Sequence, residues 1–259
     1  MTRRATSGER RGSVAKPQAP QAEAALVIFA KAPIPGQVKT RLCPPLTPDE
    51  AASLHGSFVL DTLERTKAAI AKFRLPAARI LACAPSSTHV FFKIMAERHG
   101  VQLLDQEGAD LGVRMHAAFA SLFAQGFKRV VLVGTDVPSL PLAHYRQAFE
   151  TLGSHDLVLG PAQDGGYYLI GLTRPAPDLF HDIPWSGDRV LAATRDRAGE
   201  AGLRIGLLPV WRDVDTIDDL RSLIQDSSNE SQRPQADRNF SMRTAGALAL
   251  IGKRLRTRT

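Results

Sequence analysis

Cysteine is scarce in this chain, and several common motifs are missing from it. Only Cys43 and Cys83 occur among 259 residues, which excludes a disulfide scaffold, and neither has the spacing of a zinc ligand. The longest apolar run, residues 24–30, is far shorter than the roughly 18–20 residues that span a bilayer. No loop has the Walker spacing of glycines and lysine. We therefore expect a cytoplasmic protein without a transmembrane segment or a secretory signal.

Most of the chain has no excess of either charge, because the surplus basic residues concentrate at its two ends. The net charge is +7, but residues 1–24 carry five basic and two acidic residues, and residues 226–259 carry seven and three. Residues 25–225 hold 21 of each sign. A neutral body without the signature of a nucleic-acid module predicts no specific nucleic-acid partner.

Composition divides the chain into three parts. Residues 1–24 are rich in Arg, Ser, Gln and Pro without an apolar period, which predicts a disordered basic tail. Residues 25–225 have the composition of one globular domain. Residues 226–259 are predicted to be a flexible basic extension, in which residues 241–256 can form a short helix.

Within the body, short apolar runs alternate with helical patterns. This alternation predicts an α/β fold with a mainly parallel sheet covered by helices on both faces. A capping box, Thr47-Pro-Asp-Glu50, marks the start of the first helix. Ligands of such sheets bind beyond the carboxyl ends of the strands, so we expect the site in the loops after the first, fourth and sixth strands. The predicted strands are 25–30, 79–84, 101–104, 129–133, 157–159, 167–171 and 204–208, and the predicted helices are 48–73, 89–99, 111–125, 142–152, 188–201 and 217–225.

A cationic loop follows the first predicted strand. Its sequence is K-A-P-I-P-G-Q-V-K-T-R-L, from Lys31 to Leu42. Prolines stiffen this loop, and Gly36 permits a close backbone approach or a positive φ. Lys31, Lys39 and Arg41 repel one another unless an anion neutralises them, and a polyphosphate is the natural candidate. A solvated basic loop is the simpler alternative.

Two acidic residues have the positions of metal ligands. Asp136 follows the fourth predicted strand and is held between Gly134 and Pro138, where its carboxylate can reach a metal or cap the following turn. Asp215 precedes the last predicted helix of the body. The neighbouring acids 218 and 219 suit helix capping, and Asp213 is expected to point away from Asp215, which leaves Asp215 for chemistry.

Three further segments are candidates for contacts with substrate. Asp164-Gly165-Gly166 is typical of a hairpin turn, and Tyr167 beside it offers a ring face and a hydroxyl. The segment Asp110-Leu-Gly-Val-Arg114 opens a helix whose first backbone N–H groups can bind an anion. Trp185, in Pro-Trp-Ser-Gly, is either an aromatic lid or a packing residue.

In order along the chain, the motifs K-A-P-x-P-G-x-V-K-T-R-L, D-L-G-x-R-M, G-T-D-x-P-x-L, D-G-G-Y-Y-L-I-G-L, P-W-S and D-V-D-T-x-x-D-L resemble the bacterial family called radical-SAM/selenodomain-associated transferase 1. The resemblance covers about residues 25–225. It implies a three-layer α/β/α, GT-A-like fold of the nucleotide-diphospho-sugar transferase type. The chain departs from the family at Gly187, where threonine usually follows P-W-S. More distantly, it is similar to nucleotidyltransferases of cofactor metabolism.

The resemblance also implies roles for individual residues. Asp136 and Asp215 would bind Mg²⁺ or Mn²⁺, and Lys39 and Arg41 would stabilise the phosphates as catalytic groups together with Asp164, the candidate base or acceptor contact. The predicted nucleotide-binding residues are Lys31, Pro33, Gly36, Lys39, Thr40, Arg41, Asp110, Gly112 and Arg114. The predicted acceptor-binding residues are Asp164, Gly165, Gly166, Tyr167 and Trp185.

The function expected from these motifs is metal-dependent transfer of a glycosyl group from a nucleotide-sugar to a small-molecule acceptor. One alternative is nucleotidyl transfer, in which an NTP is the donor and pyrophosphate is released. Another alternative is a non-catalytic nucleotide-binding module.

Overall fold

A seven-stranded sheet forms the centre of the computed structural model, which describes residues 22–230 and 240–257. The strands are β1 (Ala24–Lys31), β2 (Ala77–Ala84), β3 (Gln102–Asp105), β4 (Arg129–Gly134), β5 (Leu157–Pro161), β6 (Tyr167–Leu172) and β7 (Ile205–Leu207). Their order across the sheet is β3-β2-β1-β4-β6-β5-β7. Only β6 is antiparallel to its neighbours, β4 and β5. The predicted mainly parallel α/β fold is therefore confirmed.

Seven helices accompany the strands in the described residues. They are α1 (Pro48–Phe73), α2 (Val90–His99), α3 (Leu111–Ala124), α4 (Leu142–Thr151), α5 (Val190–Glu200), α6 (Ile217–Glu230) and α7 (Met242–Thr257). The capping box of α1 is present, since Thr47 Oγ1 accepts from the Glu50 N–H and Glu50 Oε2 accepts from the Thr47 N–H. No helix among these residues is both long and apolar enough to cross a membrane.

Alternate residues of β1 point to two separate cores, one on each face of the sheet. Leu26 and Ile28 pack with α1, α2 and α4, whereas Ala25 and Val27 pack with α3 and α5. This two-sided burial explains why the strands read as continuous apolar runs. A third apolar cluster joins α1, α6 and α7.

The antiparallel β6 corrects the predicted position of the site loops. Because β6 runs in the opposite direction, its carboxyl end lies beside the amino ends of β1 and β4, away from their carboxyl ends. The third loop at the site edge therefore follows β5 and contains Asp164. Sequence periodicity does not reveal strand direction, so the sequence alone does not distinguish the loop after the fifth strand from the loop after the sixth.

The end of the body also differs from the predicted boundary. Position 225 falls inside α6, which continues to Glu230 because Leu223 and Ser227 keep one face buried. Residues 240–257 lie on the body rather than extending from it, since Phe240 and Leu248 are buried in the third apolar cluster. The predicted tail 1–24 lies outside the described residues except for its last three, of which Ala24 begins β1.

Candidate active site

Lys39 is buried in the loop after β1 and is held by an unusual backbone conformation. Its φ is +49°, in the left-handed region that few residues other than glycine adopt. A 3₁₀ turn, Thr40–Leu42, follows directly. The Lys39 side chain is only 4% exposed, whereas Thr40 and Arg41 are exposed beside it. The loop therefore separates its cations, with Lys39 inside the protein and Arg41 at the surface.

Three oxygen atoms surround the Lys39 ammonium. Asp136 Oδ1 lies 2.6 Å from Nζ, Asp215 Oδ1 lies 2.9 Å away, and Nζ donates to the Val214 carbonyl oxygen at 2.6 Å. Nζ forms hydrogen bonds with Asp215 Oδ1 and the Val214 carbonyl oxygen and an ion pair with Asp136. Because both carboxylate oxygens lie so close to one nitrogen, they are within about 5.5 Å of each other. Asp136 and Asp215 thus converge on one cleft, although 78 positions separate them in the sequence.

The charges of this group stabilise one another. Burial alone would lower the pKa of Lys39, but Asp136 and Asp215 outweigh burial and raise it. Burial alone would raise the pKa of Asp136, but the neighbouring positive charges, of which Lys39 is the strongest, together outweigh burial and lower the pKa. Lys39 is therefore a charged partner of both aspartates rather than a neutral amine.

Three carboxylates gather on the open side of Asp215. Asp164, Asp213 and Asp215 each offer one oxygen, and these oxygens lie within 4.8 Å of one another. Burial, followed by Asp164 and Asp215, raises the pKa of Asp213 to about 7. Carboxylate oxygens are the ligands preferred by Mg²⁺, and a cation would relieve their mutual repulsion. These residues therefore fit a divalent metal.

Asp213 was expected to point away from Asp215, and the structure corrects this. Residues two apart on an extended chain share a face, so Asp213 and Asp215 lie together while Val214 between them is fully buried. The acid–apolar–acid pattern is the sequence signal that indicates this shared face.

His55 on α1 is a site residue that the sequence did not indicate. Its Nε2 lies 3.0 Å from the Lys31 carbonyl oxygen, and its Nδ1 lies 4.0 Å from Asp136 Oδ1. Burial lowers the pKa of the imidazole. A single histidine on an otherwise ordinary helix face gives no sequence signal.

The amino end of α3 lies against the loop that carries Trp185. Asp110 Oδ1 caps the helix by accepting from the Val113 N–H at 2.9 Å, and Arg114 Nε donates to the Gly108 carbonyl oxygen. A Cβ at Gly112 would lie 2.6 Å from Cζ2 of Trp185. Gly112 is therefore required for the close approach of the indole.

The turn after β5 is held against the loop that carries Trp185 and leads into α5. Gly165 has a φ of +89°, and a Cβ there would lie 1.9 Å from the Asp188 carbonyl oxygen. The Leu191 N–H donates to the Gly165 carbonyl oxygen at 2.9 Å, and Asp164 Oδ1 accepts from the Gly166 N–H at 2.8 Å. The predicted turn is present, and it directs Asp164 toward Asp213 and Asp215.

One cleft of about 610 Å³ collects most of the predicted site residues. Its lining includes residues from the loops after β1, β4 and β5, the start of α3, the segment before α6, and the loop before α5. Among the predicted residues, it contains Lys31, Lys39, Thr40, Arg41, Asp110, Arg114, Asp136, Asp164, Gly166, Tyr167, Trp185 and Asp215. Pro33, Gly36, Gly112 and Gly165 are not part of that lining, and the last two instead support Trp185 and the turn.

Known proteins share this architecture. The family model described as "Uncharacterized protein conserved in bacteria (DUF2064)" matches residues 68–187. None of the curated proteins compared with the chain matches it. The crystal structure of a protein from Desulfovibrio desulfuricans G20, named as a candidate nucleotide-diphospho-sugar transferase, is 32% identical, with a TM-score of 0.78. The match covers 91% of this chain and 98% of the Desulfovibrio desulfuricans chain.

Two more distant structures show the fold alone. CMP:2-keto-3-deoxy-manno-octonic acid synthetase complexed with CTP is 12% identical, with a TM-score of 0.51, and the match covers 81% of this chain and all of the synthetase. The bifunctional IspDF from Campylobacter jejuni is 11% identical, with a TM-score of 0.50, over 77% of this chain and 54% of that one.

The sheet order and the cleft at the carboxyl ends of its parallel strands are those of a nucleotide-diphospho-sugar transferase fold. Within that class, the chain belongs to the same family as the Desulfovibrio desulfuricans protein, given their identity and nearly complete mutual coverage.

Proposed function

We propose that the chain is a divalent-metal-dependent transferase that uses a nucleotide-activated donor, and that the donor is a nucleotide-sugar from which it transfers the glycosyl group. The observation that carries this proposal is the convergence of a cationic loop and four aspartates in one cleft. Opposite charges arranged in this way suit a magnesium- or manganese-bound diphosphate. The name of the Desulfovibrio desulfuricans protein and the motif resemblance to the radical-SAM/selenodomain-associated transferase 1 family support the same donor class.

The donor's phosphates would lie between the basic loop and the start of α3. Arg41 and Lys31 are exposed cations at this side of the cleft, and Thr40 adds a hydroxyl. The amino end of α3 adds a positive helix dipole and the guanidinium of Arg114. Lys39 is satisfied by carboxylate and carbonyl oxygens, so in this arrangement it supports the phosphates by holding the aspartates in place rather than by direct contact.

Asp213 and Asp215 would hold the metal, with the Asp164 carboxylate beside them, while Lys39 neutralises Asp136. Ligation by Asp136 and Asp215 alone, as the motif resemblance implies, would require the Lys39 ammonium to leave its position between them. A bound divalent ion supplies Lewis-acid stabilisation of the charge that develops on the departing diphosphate. The protein's own contribution is to exclude water, orient the donor and place these carboxylates.

The acceptor would enter between the β5–β6 turn and the loop before α5. Asp164 is the candidate for accepting the acceptor's proton, because its second oxygen remains after Oδ1 has accepted from the Gly166 N–H. Tyr167 and Trp185 offer ring surfaces on this side of the cleft. Gly165 and Gly166 shape the turn that carries Asp164.

A binding and turnover experiment tests this function. Purified protein is screened by thermal shift with nucleotide-sugars and NTPs, each with Mg²⁺, Mn²⁺ or EDTA, because a ligand of the native state raises its stability. Donors that bind are then incubated with candidate acceptors, and the released product is identified. A nucleoside diphosphate supports glycosyl transfer, pyrophosphate supports the nucleotidyl alternative, and metal-dependent binding without turnover supports a non-catalytic module. Metal-independent binding contradicts the proposed site.

A further inference from the structure

We propose that α7 is a positioning element of the candidate active site, which fixes the Lys39 loop and the Asp213–Asp215 segment from behind. This inference rests on the proposed function only for the meaning of the site, since the packing itself is independent of any ligand. It assigns a role to residues 240–257, which their composition marks only as a basic extension.

The amino end of α7 is fixed to a buried carboxylate on α1. Ser241 Oγ donates to Asp61 Oδ1 at 2.6 Å and accepts from the Thr244 N–H at 3.1 Å. Arg243 lies 3.4 Å from the same carboxylate and 3.0 Å from Glu64. Asp61 is 1% exposed, and α7 provides an ionic partner for it in Arg243. A buried charge without partners is costly, so α7 and α1 stabilise each other at this point.

The middle of α7 shares an apolar cluster with both segments that carry the site's charges. Leu248 is fully buried, and Ile251 is nearly so, in the cluster that contains Leu42 and Val214. Leu42 ends the 3₁₀ turn after Lys39, and Val214 separates Asp213 from Asp215. The apolar side of each charged segment therefore belongs to the core that α7 completes.

The carboxyl end of α7 holds the rest of the loop. Arg254 pairs with Glu50, which also forms the capping box of α1, and its Nη2 donates to the Pro45 carbonyl oxygen at 3.2 Å. Leu46 lies in the same apolar cluster as Leu248. The segment from the 3₁₀ turn to the first turn of α1 is thus held by the packing of Leu42 and Leu46 and by the contacts of Arg254.

Backbone hydrogen bonds connect this packing to the site. The Val214 N–H donates to the Asp136 carbonyl oxygen at 3.0 Å, and the Val214 carbonyl oxygen accepts from Lys39 Nζ. The Leu42 N–H donates to the Lys39 carbonyl oxygen at 3.0 Å. Displacement of Leu42 or Val214 would therefore move the groups that place Lys39, Asp136 and Asp215.

Hydrogen exchange of single amides tests the proposal. Leu248→Ala removes the buried contact of α7, and Leu152→Ala is the matched control, since Leu152 is equally apolar and 4% exposed but packs in the cluster of β1 and α4. Under conditions in which both variants remain folded, the amides of Leu42, Cys43 and Val214 should exchange about tenfold faster or more in Leu248→Ala than in Leu152→Ala. The amides of β2 should exchange alike in the two variants. Leu248→Met should restore protection, because it preserves most of the buried volume.

Equal exchange of the site amides in the two alanine variants would overturn the proposal, as would acceleration spread evenly over β2 and the site. A Mn²⁺ titration without nucleotide gives the second readout. Wild type and Leu152→Ala should bind Mn²⁺ alike, and Leu248→Ala should bind it about fivefold or more weakly. Unchanged affinity in Leu248→Ala would contradict the positioning role. If the wild type binds no Mn²⁺, the proposed metal site fails, and the exchange experiment still decides whether α7 fixes these segments.

Discussion

Lys39 Nζ lies 2.6 Å from Asp136 Oδ1 in a position where the Lys39 side chain is almost fully buried. With Asp215 and the Val214 carbonyl oxygen completing its contacts, this ammonium is an internal counter-cation for two aspartates that would otherwise repel each other. The basic loop after β1 therefore has two functions in the proposal. Lys39 organises the acidic residues, and Arg41 faces the cleft.

Lys39→Met should destabilise the protein in the absence of metal, whereas Arg41→Ala should change its stability little. Removing the ammonium leaves two partly buried carboxylates without their cation, which we expect to cost about 1–3 kcal/mol because both retain some solvent exposure. An exposed arginine on a loop contributes within about 0.5 kcal/mol. Urea unfolding in EDTA measures both values. The double variant Lys39→Met/Asp136→Asn should recover part of the loss, and a Lys39→Met variant as stable as wild type would exclude the counter-cation role.

Substitutions of single aspartates should identify the metal ligands. Asp215→Asn and Asp213→Asn should each weaken Mn²⁺ binding about tenfold or more, because each removes one carboxylate from the group of three. Asp136→Asn should have a smaller effect, since Lys39 neutralises Asp136. Calorimetric titration of Mn²⁺ into the nucleotide-free protein measures all three. The reverse order, with Asp136→Asn abolishing binding and Asp213→Asn leaving it intact, would assign the metal to Asp136 and Asp215 with Lys39 displaced.

Much of the fold could be predicted because its determinants are local. The apolar run of each strand, the capping box at Thr47 and the turn at Gly165 are all readable from neighbouring residues. The direction of β6 could not be predicted in this way, because strand pairing depends on contacts between residues distant in sequence. The convergence of Asp136 with Asp215 was expected from their places at strand and helix ends, whereas the burial of Lys39 between them depends on tertiary packing.

Other features of the site left no usable local signal. His55 is a single histidine within a long helix, and only the path of the neighbouring loop brings it near Asp136. The docking of α7 depends on Asp61 and on apolar side chains from three segments. A composition boundary at 225 therefore marks a change in amino-acid usage and not the end of the packed structure.

The contact between Gly112 and Trp185 predicts a spectroscopic change. Only two tryptophans occur in the chain, so a Trp211→Phe background isolates Trp185. In that background, Gly112→Ala should displace the indole, because the added methyl would lie 2.6 Å from the ring, and the emission of Trp185 should shift to the red as the indole gains solvent. Gly199→Ala is the matched control, since a Cβ there meets nothing within 4 Å. An unchanged spectrum in Gly112→Ala would show that the indole is not held against α3.

His144 should make the protein sensitive to acid. The side chain is buried, with its ring 6.0 Å from Tyr168 and 5.3 Å from Trp211 between centroids, and burial lowers its pKa below the ordinary value in spite of the opposing Pro141 carbonyl. The unfolded chain therefore binds a proton below about pH 6.5 that the folded protein resists. Since the unfolded state binds more protons at this site, the contribution of His144 to the free energy of unfolding should fall as the pH decreases from 7 to 5, whereas Asp213, whose pKa is raised to about 7, contributes with the opposite sign in both wild type and variant.

His144→Phe should reduce this loss, because phenylalanine fills a similar volume between the two rings and cannot be protonated. Urea unfolding at pH 5, 6, 7 and 8 measures the dependence, to which one histidine can contribute up to about 1.4 kcal/mol per pH unit. Other buried histidines such as His55 leave a residual slope in the variant. His181→Phe is the control, since the side chain of His181 is 69% exposed and its substitution should leave the slope close to that of wild type. If the stability of His144→Phe and that of wild type change equally between pH 7 and pH 5, protonation of His144 is not coupled to unfolding.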